Sequence, residues 1–327
     1  MALLILSSSN LFAEQRHSDA NFENQTLVGE NVFSGTITVK GRLTIQEGSS
    51  LTILPATKIV FLYLDEDGDG IGESEILSQG EIKVLGTKDK PVLFLSNEKR
   101  AGAWLGFSIM NVDTENIIQH AVFEDAYMAL HSHFSTLKVS DCTFRNNFRG
   151  FQSQEGVITL YNNEFYKNNT GVQFRNSKSF LKGNKITENM GGLNFLYSTV
   201  SMEDNHVENN RLFGMKARFS KVDIKRLTVS KSMQNIYSKN SEITMVSVSS
   251  REALLRGFSF EGSQISISDS SSEDNLLDGI SLDTSLLECD KLTFKNNGRF
   301  HIYLKGKSSF NGNYESDRKE NVLFIEN

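Results

Sequence analysis

Three hexapeptides, NEFYKN from Asn163, NKITEN from Asn184 and NHVENN from Asn205, each begin and end in asparagine and carry one apolar residue third: Phe165, Ile186 or Val207. Their starts are evenly spaced along the chain. Two further columns keep step with them. One is a glycine, or its replacement, ahead of an apolar residue: Gly150, Gly171, Gly192, Gly214, Asn235, Gly257, Gly279 and His301, at the same step or one position longer. The other is apolar: Phe123, Phe144, Phe165, Ile186, Val207 and Val229, returning at Phe294. Within each unit the alternation is period two, as at Val172 and Phe174 or Ile280 and Leu282, which is the spacing of short strands and not of helices. A unit of about 22 residues made of short strands cannot bury its own apolar face. Stacking successive units at the inter-strand distance of about 4.8 Å buries one continuous column and pairs each strand with its successor. The repeat therefore predicts an all-β, single-stranded parallel β-helix of about 11–12 coils of about 21–22 residues.

Asparagine suits the bends of such a coil. Residues of equal phase lie above one another, and a side-chain amide both donates and accepts hydrogen bonds along the axis. One ladder is Asn163, Asn184 and Asn205; the other is Asn147, Asn168, Asn189 and Asn210, with Asn297 at the same offset. Cys142, Leu227 and Leu292 share the first ladder's phase, so that phase points inward. Asparagine also tolerates the left-handed backbone that sharp bends demand.

The repeats resemble the right-handed parallel β-helix families, the pectate-lyase-like and NosD-like repeat proteins of exported bacterial polypeptides. Likeness extends over roughly residues 30 to 327, and "GTITVKGRLTIQEGSSLTILPATKIVF" resembles the first coils of such proteins. Right-handedness is what the resemblance implies, in agreement with parallel crossovers generally. Such folds host many activities, so the resemblance carries fold further than function. The lyases' catalytic motifs do not map onto this chain.

The rest of the chain sets bounds. Only Pro55 and Pro91 occur and no Pro/Ser/Gly-rich linker divides the sequence, which favours one continuous body over residues 35–327 behind an N-terminal cap at 17–34. "MALLILSSSNLFAEQ" has a short apolar stretch and a small residue ahead of Glu14 but no basic start. Residues 1–16 read as a truncated signal peptide, with a frayed strand or helix as the simpler account. Export to the periplasm, outer surface or medium is the corresponding expectation. A net charge of −6 argues against nucleic acid as partner, and no apolar run approaches the roughly 20 residues of a membrane helix. Cys142 and Cys289 fall seven coils apart, about 34 Å at the strand spacing. A disulfide needs Cα atoms within about 7 Å, so both thiols should be free.

Four features bear on chemistry. Glu164, Lys185 and His206 follow one another on consecutive coils in the outward column beside the Phe144 phase. They are an acid/base candidate at most, and a solvated mixed-charge face accounts for them as well. Asp141 and Asp204 share a phase but lie three coils apart. His131 and His133 place two imidazoles on one side of a strand, a start for copper, yet no Cys, Met or third His is evident at a neighbouring phase. Arg211, Lys216, Arg218, Lys221, Lys225, Arg226 and Lys231 stand against Asp223 alone, a basic run at 211–231 suited to an anionic polysaccharide or cell-envelope partner.

The sharpest feature is "DEDGDGIGESE", residues 65–75, an acidic loop interrupting the strand pattern. Asp65, Asp67 and Asp69 alternate ahead of Gly70, as in the first half of a calcium-binding loop. The Ile71 carbonyl comes next, and Glu73 or Glu75 would complete the shell of one Ca²⁺, because Ile76 stands at the twelfth position. The sequence thus points to an exported, non-catalytic β-helix that binds or displays something along its flank. A carbohydrate-active lyase or hydrolase is the alternative. The final "NVLFIEN" puts Leu323 one repeat after Ile302, in strand phase, and an edge there invites edge-to-edge self-association.

Overall fold

A computed structural model describes residues 13–318 and 322–325. Every strand pairing in it is parallel, and no helix occurs among the described residues. A representative coil runs Thr136–Ser140, Thr143–Arg145, Arg149–Gln154, then repeats as Val157–Tyr161, Glu164–Tyr166, Thr170–Arg175. These strands form three faces, here A, B and C, and each pairs with its counterpart on the next coil, as in Leu137↔Ile158, Phe144↔Phe165 and Phe151↔Val172.

The core is a set of stacked columns. Phe94, Phe123, Phe144 and Phe165 lie ring over ring, with centroids 4.4, 4.8 and 4.7 Å apart and planes within 8° of parallel. All four are fully buried. The strand spacing itself brings the rings into contact, so register and packing enforce one another.

Each corner is built from two residues with separate tasks. A residue with positive φ makes the bend, and the next one turns its side chain inward to form the ladder. Asn162 (φ 53°) precedes Asn163, Lys167 (φ 56°) precedes Asn168, and Tyr197 (φ 51°) precedes Ser198. The left-handed conformation is therefore carried by the residue ahead of each ladder asparagine, which corrects the expectation that the ladder residues adopt it. Asn184 shows what the ladder position does. Its Oδ1 accepts from Asn163 N and Asn163 Nδ2 at 2.9 and 3.0 Å, and its Nδ2 donates to Leu160 O and to Asn205 Oδ1 at 3.0 and 2.9 Å. The buried amide is fully satisfied, as a buried polar group must be. Cys142 ends this ladder: its N donates to Asn163 Oδ1 and its Sγ accepts from Ala121 N. Cys142 and Cys289 are both free, and burial pushes the Cys142 thiol up to about 12.

The third corner carries a ladder that the sequence reading missed. Ser177, Ser198, Ser220, Ser241, Ser263, Ser285 and Ser308 each accept a hydrogen bond from the backbone N of the preceding coil. Their regular spacing was visible in the sequence, but serine is too common at turns to stand out.

Three further expectations change. The stack has about 13 turns instead of 11–12. Counting in equal steps fails near the N-terminus, where Gln15 pairs Asn31, Ser50 pairs Glu81 and Lys83 pairs Ile117. Coils there are first short and then lengthened by the loops around residues 62–74 and 97–103. Residues 17–34, expected as a cap, already form ladder strands: Gln15–Ser18 pairs Glu30–Ser34, and Asn21–Leu27 pairs Thr36–Ile45. Of the segment read as a signal peptide, residues 1–12 lie outside the described residues, and Gln15 and Arg16 belong to the first strand. At the other end Ile302 pairs Val322, so Leu323 lies beside Tyr303 and the register is one residue from that expected.

Candidate functional site

Face C carries the most unusual outward surface. Its central column reads His131, Gln152, Gln173, Asn194, Lys216 and Tyr237, one residue per coil. Strand alternation sets them outward between the buried columns of Leu130–Phe151–Val172 and Ser132–Ser153–Phe174. They are nonetheless half-buried or buried. Arg149 lies on one side of this column and Arg175 and Arg218 on the other.

Several polar atoms on this face have no partner. Both ring nitrogens of His131 are buried without one, as are His133 Nε2, Asn194 Oδ1 and Arg218 Nε. His131 is 9% exposed, and burial depresses its pKa to about 4, so the imidazole is neutral at physiological pH. Buried polar groups are ordinarily paired, and orphans gathered on one surface mark where water or a ligand belongs. Lys216 sits 5.7 Å from the ring centroids of both Phe213 and Tyr237, and burial followed by the Arg218 charge lowers its pKa. Burial likewise raises the Tyr237 phenol to about 12. The sequence alone pointed to His131, His133, Lys216 and Arg218 separately but not to the face that joins them, since its central column changes residue type at nearly every coil.

The acidic loop lies at the B-to-C corner of an early coil. Asp65, Asp67 and Glu73 each bring a carboxylate oxygen to one place, all within 4.8 Å of one another. Gly70 N donates to Asp65 Oδ2 and Asp69 N to Asp67 Oδ1, which winds the loop around that point. Tyr63 Oη donates to Asp65 Oδ2 at 2.6 Å, and this bond holds the Asp65 carboxyl below the usual range. Asp65 Oδ1 and Glu73 Oε2 are buried without a partner. Asp69 accepts from Ile71 N and is not among the three converging carboxylates. Of the two glutamates weighed for the loop, Glu73 reaches the cluster; Glu75 is buried on strand Glu75–Ser78, where Arg42 Nε donates to its Oε1 at 2.5 Å. Arg100 closes the loop from outside, donating to Gly70 O at 2.8 Å over the Tyr63 ring.

The other sequence candidates are placed as follows. Glu164, Lys185 and His206 do stack on face B in the expected register. Lys185 Nζ is bound to Glu164 Oε1 at 2.9 Å, and His206 faces Glu208 at 3.2 Å, an ion-paired surface. Asp141 and Asp204 occupy positive-φ corner positions, with Asp204 paired to Arg226. The rings of His131 and His133 are 6.1 Å apart, and no third His, Cys, Asp or Glu converges on them among the described residues. The basic run at 211–231 is not one patch. It winds round a whole coil, so Lys216 and Arg218 reach face C while Lys221, Arg226 and Lys231 are bound to Glu242, Asp204 and Glu208.

Residues 106–253 match a family model described as the right-handed beta helix region. No curated protein sequence matches the chain. A double mutant of the periplasmic alginate epimerase AlgG shares the fold at 12% identity, with a TM-score of 0.57 over 90% of this chain and 77% of that one. Tailspike protein 3 of bacteriophage CBA120 does so at 10% identity and a TM-score of 0.56, over 91% of this chain and 56% of that one. For the Dettilon tailspike protein the values are 10% and 0.50, over 88% and 62%. The chain thus spans less than two thirds of either tailspike's length, and at these identities the likeness is one of fold. Repeat, parallel register and family match together make this chain a right-handed parallel β-helix.

Proposed function

We propose that the chain is an exported, non-catalytic β-helix that binds a polysaccharide along face C, with one calcium ion securing the 65–75 loop. The observation that carries the binding reading is the row of half-buried polar side chains with unpartnered atoms along face C. A row of half-buried amides, imidazoles and cations with unpartnered atoms suits a ligand rich in hydroxyls that lies along the axis. An alginate epimerase sharing the fold supports a carbohydrate ligand by analogy alone. The non-catalytic reading is supported by the absence of any Asp or Glu on the outward positions of this face from Met128 to Lys239. Glycoside hydrolysis uses two carboxylates across the scissile bond. Incubating the protein with neutral and acidic polysaccharides, and measuring both retention and product release, tests the reading. Retention without new reducing ends or unsaturated products is expected. Product release would replace it with the carbohydrate-active enzyme.

Calcium binding is supported by the convergence of Asp65, Asp67 and Glu73 and by the two buried oxygens without partners. A hard dication takes six to eight oxygens, so Asp69, the Ile71 carbonyl and water would complete the shell. Without a bidentate twelfth ligand the expected Kd is about 10⁻⁴ to 10⁻³ M. Millimolar Ca²⁺ should raise Tm, and Asp67→Ala should remove that rise; no calorimetric signal at millimolar metal would refute the site. Self-association belongs to the same proposal. Ser309–Ser316 and Val322–Ile325 pair on one side only among the described residues, and sedimentation over a concentration series should show association.

A further inference from the structure

This inference rests on face C being the polysaccharide-binding face and adds what the polymer carries. Eighteen outward positions, three on each of six coils from Met128 to Lys239, hold no aspartate or glutamate. The chain as a whole has 40 acidic residues against 34 basic ones. On faces A and B of these coils several cations meet an acid from a neighbouring coil, as in Lys185–Glu164 and Lys221–Glu242, although Lys138, Lys178 and Lys225 on face A do not. On face C, Arg149, Arg175, Lys216 and Arg218 have no carboxylate within 4.0 Å among the described residues. Glu261, on the coil beyond, is bound to Lys239 and closes the cationic stretch. Like charges on one sheet face repel, and leaving them unmatched costs stability that a bound anion would return. A second observation is independent of charge. His131 is nine-tenths buried with both nitrogens unpartnered, and Asn194 Oδ1 and Arg218 Nε are orphaned on the same surface.

We infer that face C binds a linear acidic polysaccharide running parallel to the solenoid axis. Its anionic groups sit at Arg149 and Arg175 and again at Lys216 and Arg218, and its hydroxyls lie over Gln173 and Asn194. Arg149 and Lys216 are three coils apart, about 14 Å at the strand spacing, and the six coils span about 24 Å. Four cations over that length match a polymer whose charge is dilute, with neutral hydroxyls between its acidic groups. A nucleic acid, with one phosphate per nucleotide, would meet too few cations and a chain of net charge −6 behind them.

The test is calorimetric titration of the full chain, with Ca²⁺ held constant, using oligomers of increasing length from a polysaccharide that carries one uronate among neutral sugars in each repeat, neutral glucan oligomers and single-stranded DNA. Acidic oligomers should bind, tighten with length until they span the six coils, and weaken with added salt. Lys216→Ala with Arg218→Ala should weaken them about tenfold or more, a loss typical of charge-assisted contacts, with circular dichroism unchanged. The Lys221→Ala control on face A should leave binding as it was. Equal, salt-insensitive binding of neutral oligomers would overturn this inference and leave the polysaccharide reading standing. Failure of every oligomer to bind would overturn both. Tighter binding of DNA, or acidic binding that survives the double substitution, would overturn the acidic-polysaccharide assignment on this face.

Discussion

On faces A and B of the central coils, several opposite charges stand one above another; on face C of the same coils Arg149, Arg175, Lys216 and Arg218 meet no carboxylate among the described residues. Arg226 is bound to Glu203 and Asp204, Lys231 to Glu208 and Lys185 to Glu164, each across one coil boundary. A parallel register puts residues of equal phase about 4.8 Å apart, so any charged column must alternate or repel itself. Where it alternates, the column is self-sufficient and only solvated. Where the cations stand without acids, their charge is left to solvent, to ring faces and to amides such as Gln152 beside Arg149, and an outside anion could complete the match. In a solenoid the absence of coil-to-coil pairing is therefore a pointer to a binding face.

Both kinds of face hang on the same ladders, and breaking a ladder should have the largest effect. Asn184→Ala leaves Asn163 N and Asn163 Nδ2 without their acceptor and Leu160 O without its donor. A loss of about 2–4 kcal/mol in urea unfolding is expected, since each orphaned buried group costs about 1–3 kcal/mol with partial relief from water. If the loss stays under about 1 kcal/mol, the amide ladder is not what holds the coils.

A subtler break concerns a coil whose ladder is rearranged. Ser232 stands where an asparagine is due, and Asn235 stands where glycine is due. The Asn235 side chain takes over: its Oδ1 accepts from Ser232 N, and its Nδ2 donates to Arg251 O and Ser250 Oγ. At Gly214 in the same column a side chain has no room, since a Cβ there would lie 2.7 Å from Asn235 O. Ser250 supplies that room by replacing the bulky apolar residue of its column, which also explains the gap there between Val229 and Phe294. Asn235→Gly should cost about 1–3 kcal/mol, and adding Ser232→Asn should recover most of it in the same unfolding assay.

Reversing a charge should then separate the faces. Lys185→Glu sets two carboxylates against each other on face B and should destabilise by about 0.5–1 kcal/mol. Arg175→Glu on face C removes a repulsion, should leave stability unchanged or raised, and should abolish retention on an acidic polysaccharide. Equal destabilisation by both would erase the distinction between the faces.

Acid titration reads the same contrast. The Arg226 bond holds Asp204 below its ordinary pKa, and the Lys231 bond, then His206, do the same for Glu208. Their contribution is fully present above the unfolded carboxylate range near pH 4 and is lost as pH falls through the lower folded values. Arg226→Ala should flatten that acid limb of the Tm–pH curve, whereas Arg218→Ala should not. The smallest effect is Lys216→Met. Because burial lowers the Lys216 pKa, its charged form is penalised in the fold, and the penalty disappears as pH rises towards the unfolded value of 10.5. Removing the charge should therefore stabilise slightly at pH 7, within about 0.5 kcal/mol, while binding is lost.

The sequence by itself determined what depends on period. The asparagine pairs, the glycine column and the apolar column repeat because the coil repeats, so strand direction, stacking and the separation of Cys142 from Cys289 could be read from spacing. The approach of Asp65 to Asp67 was legible for a local reason, since the two lie within one turn of chain, whereas Asp69 falls outside the cluster. What only the tertiary structure decided is which side chains meet across coils of unequal length. The loops at 62–74 and 97–103 shift the count, so the coil number and the fate of residues 17–34 could not be had by stepping along at a fixed interval. Glu73 and Glu75 are equivalent in sequence, and only Arg42, far away along the chain, takes Glu75 out of the loop. The basic run from Arg211 to Lys231 looks like one patch on a line, yet a coil closes on itself within that length and faces three ways. Face C carries the glycine column, which marks the coil and not a ligand; its distinguishing property is a missing carboxylate, and a missing partner exists only once neighbours are fixed in space.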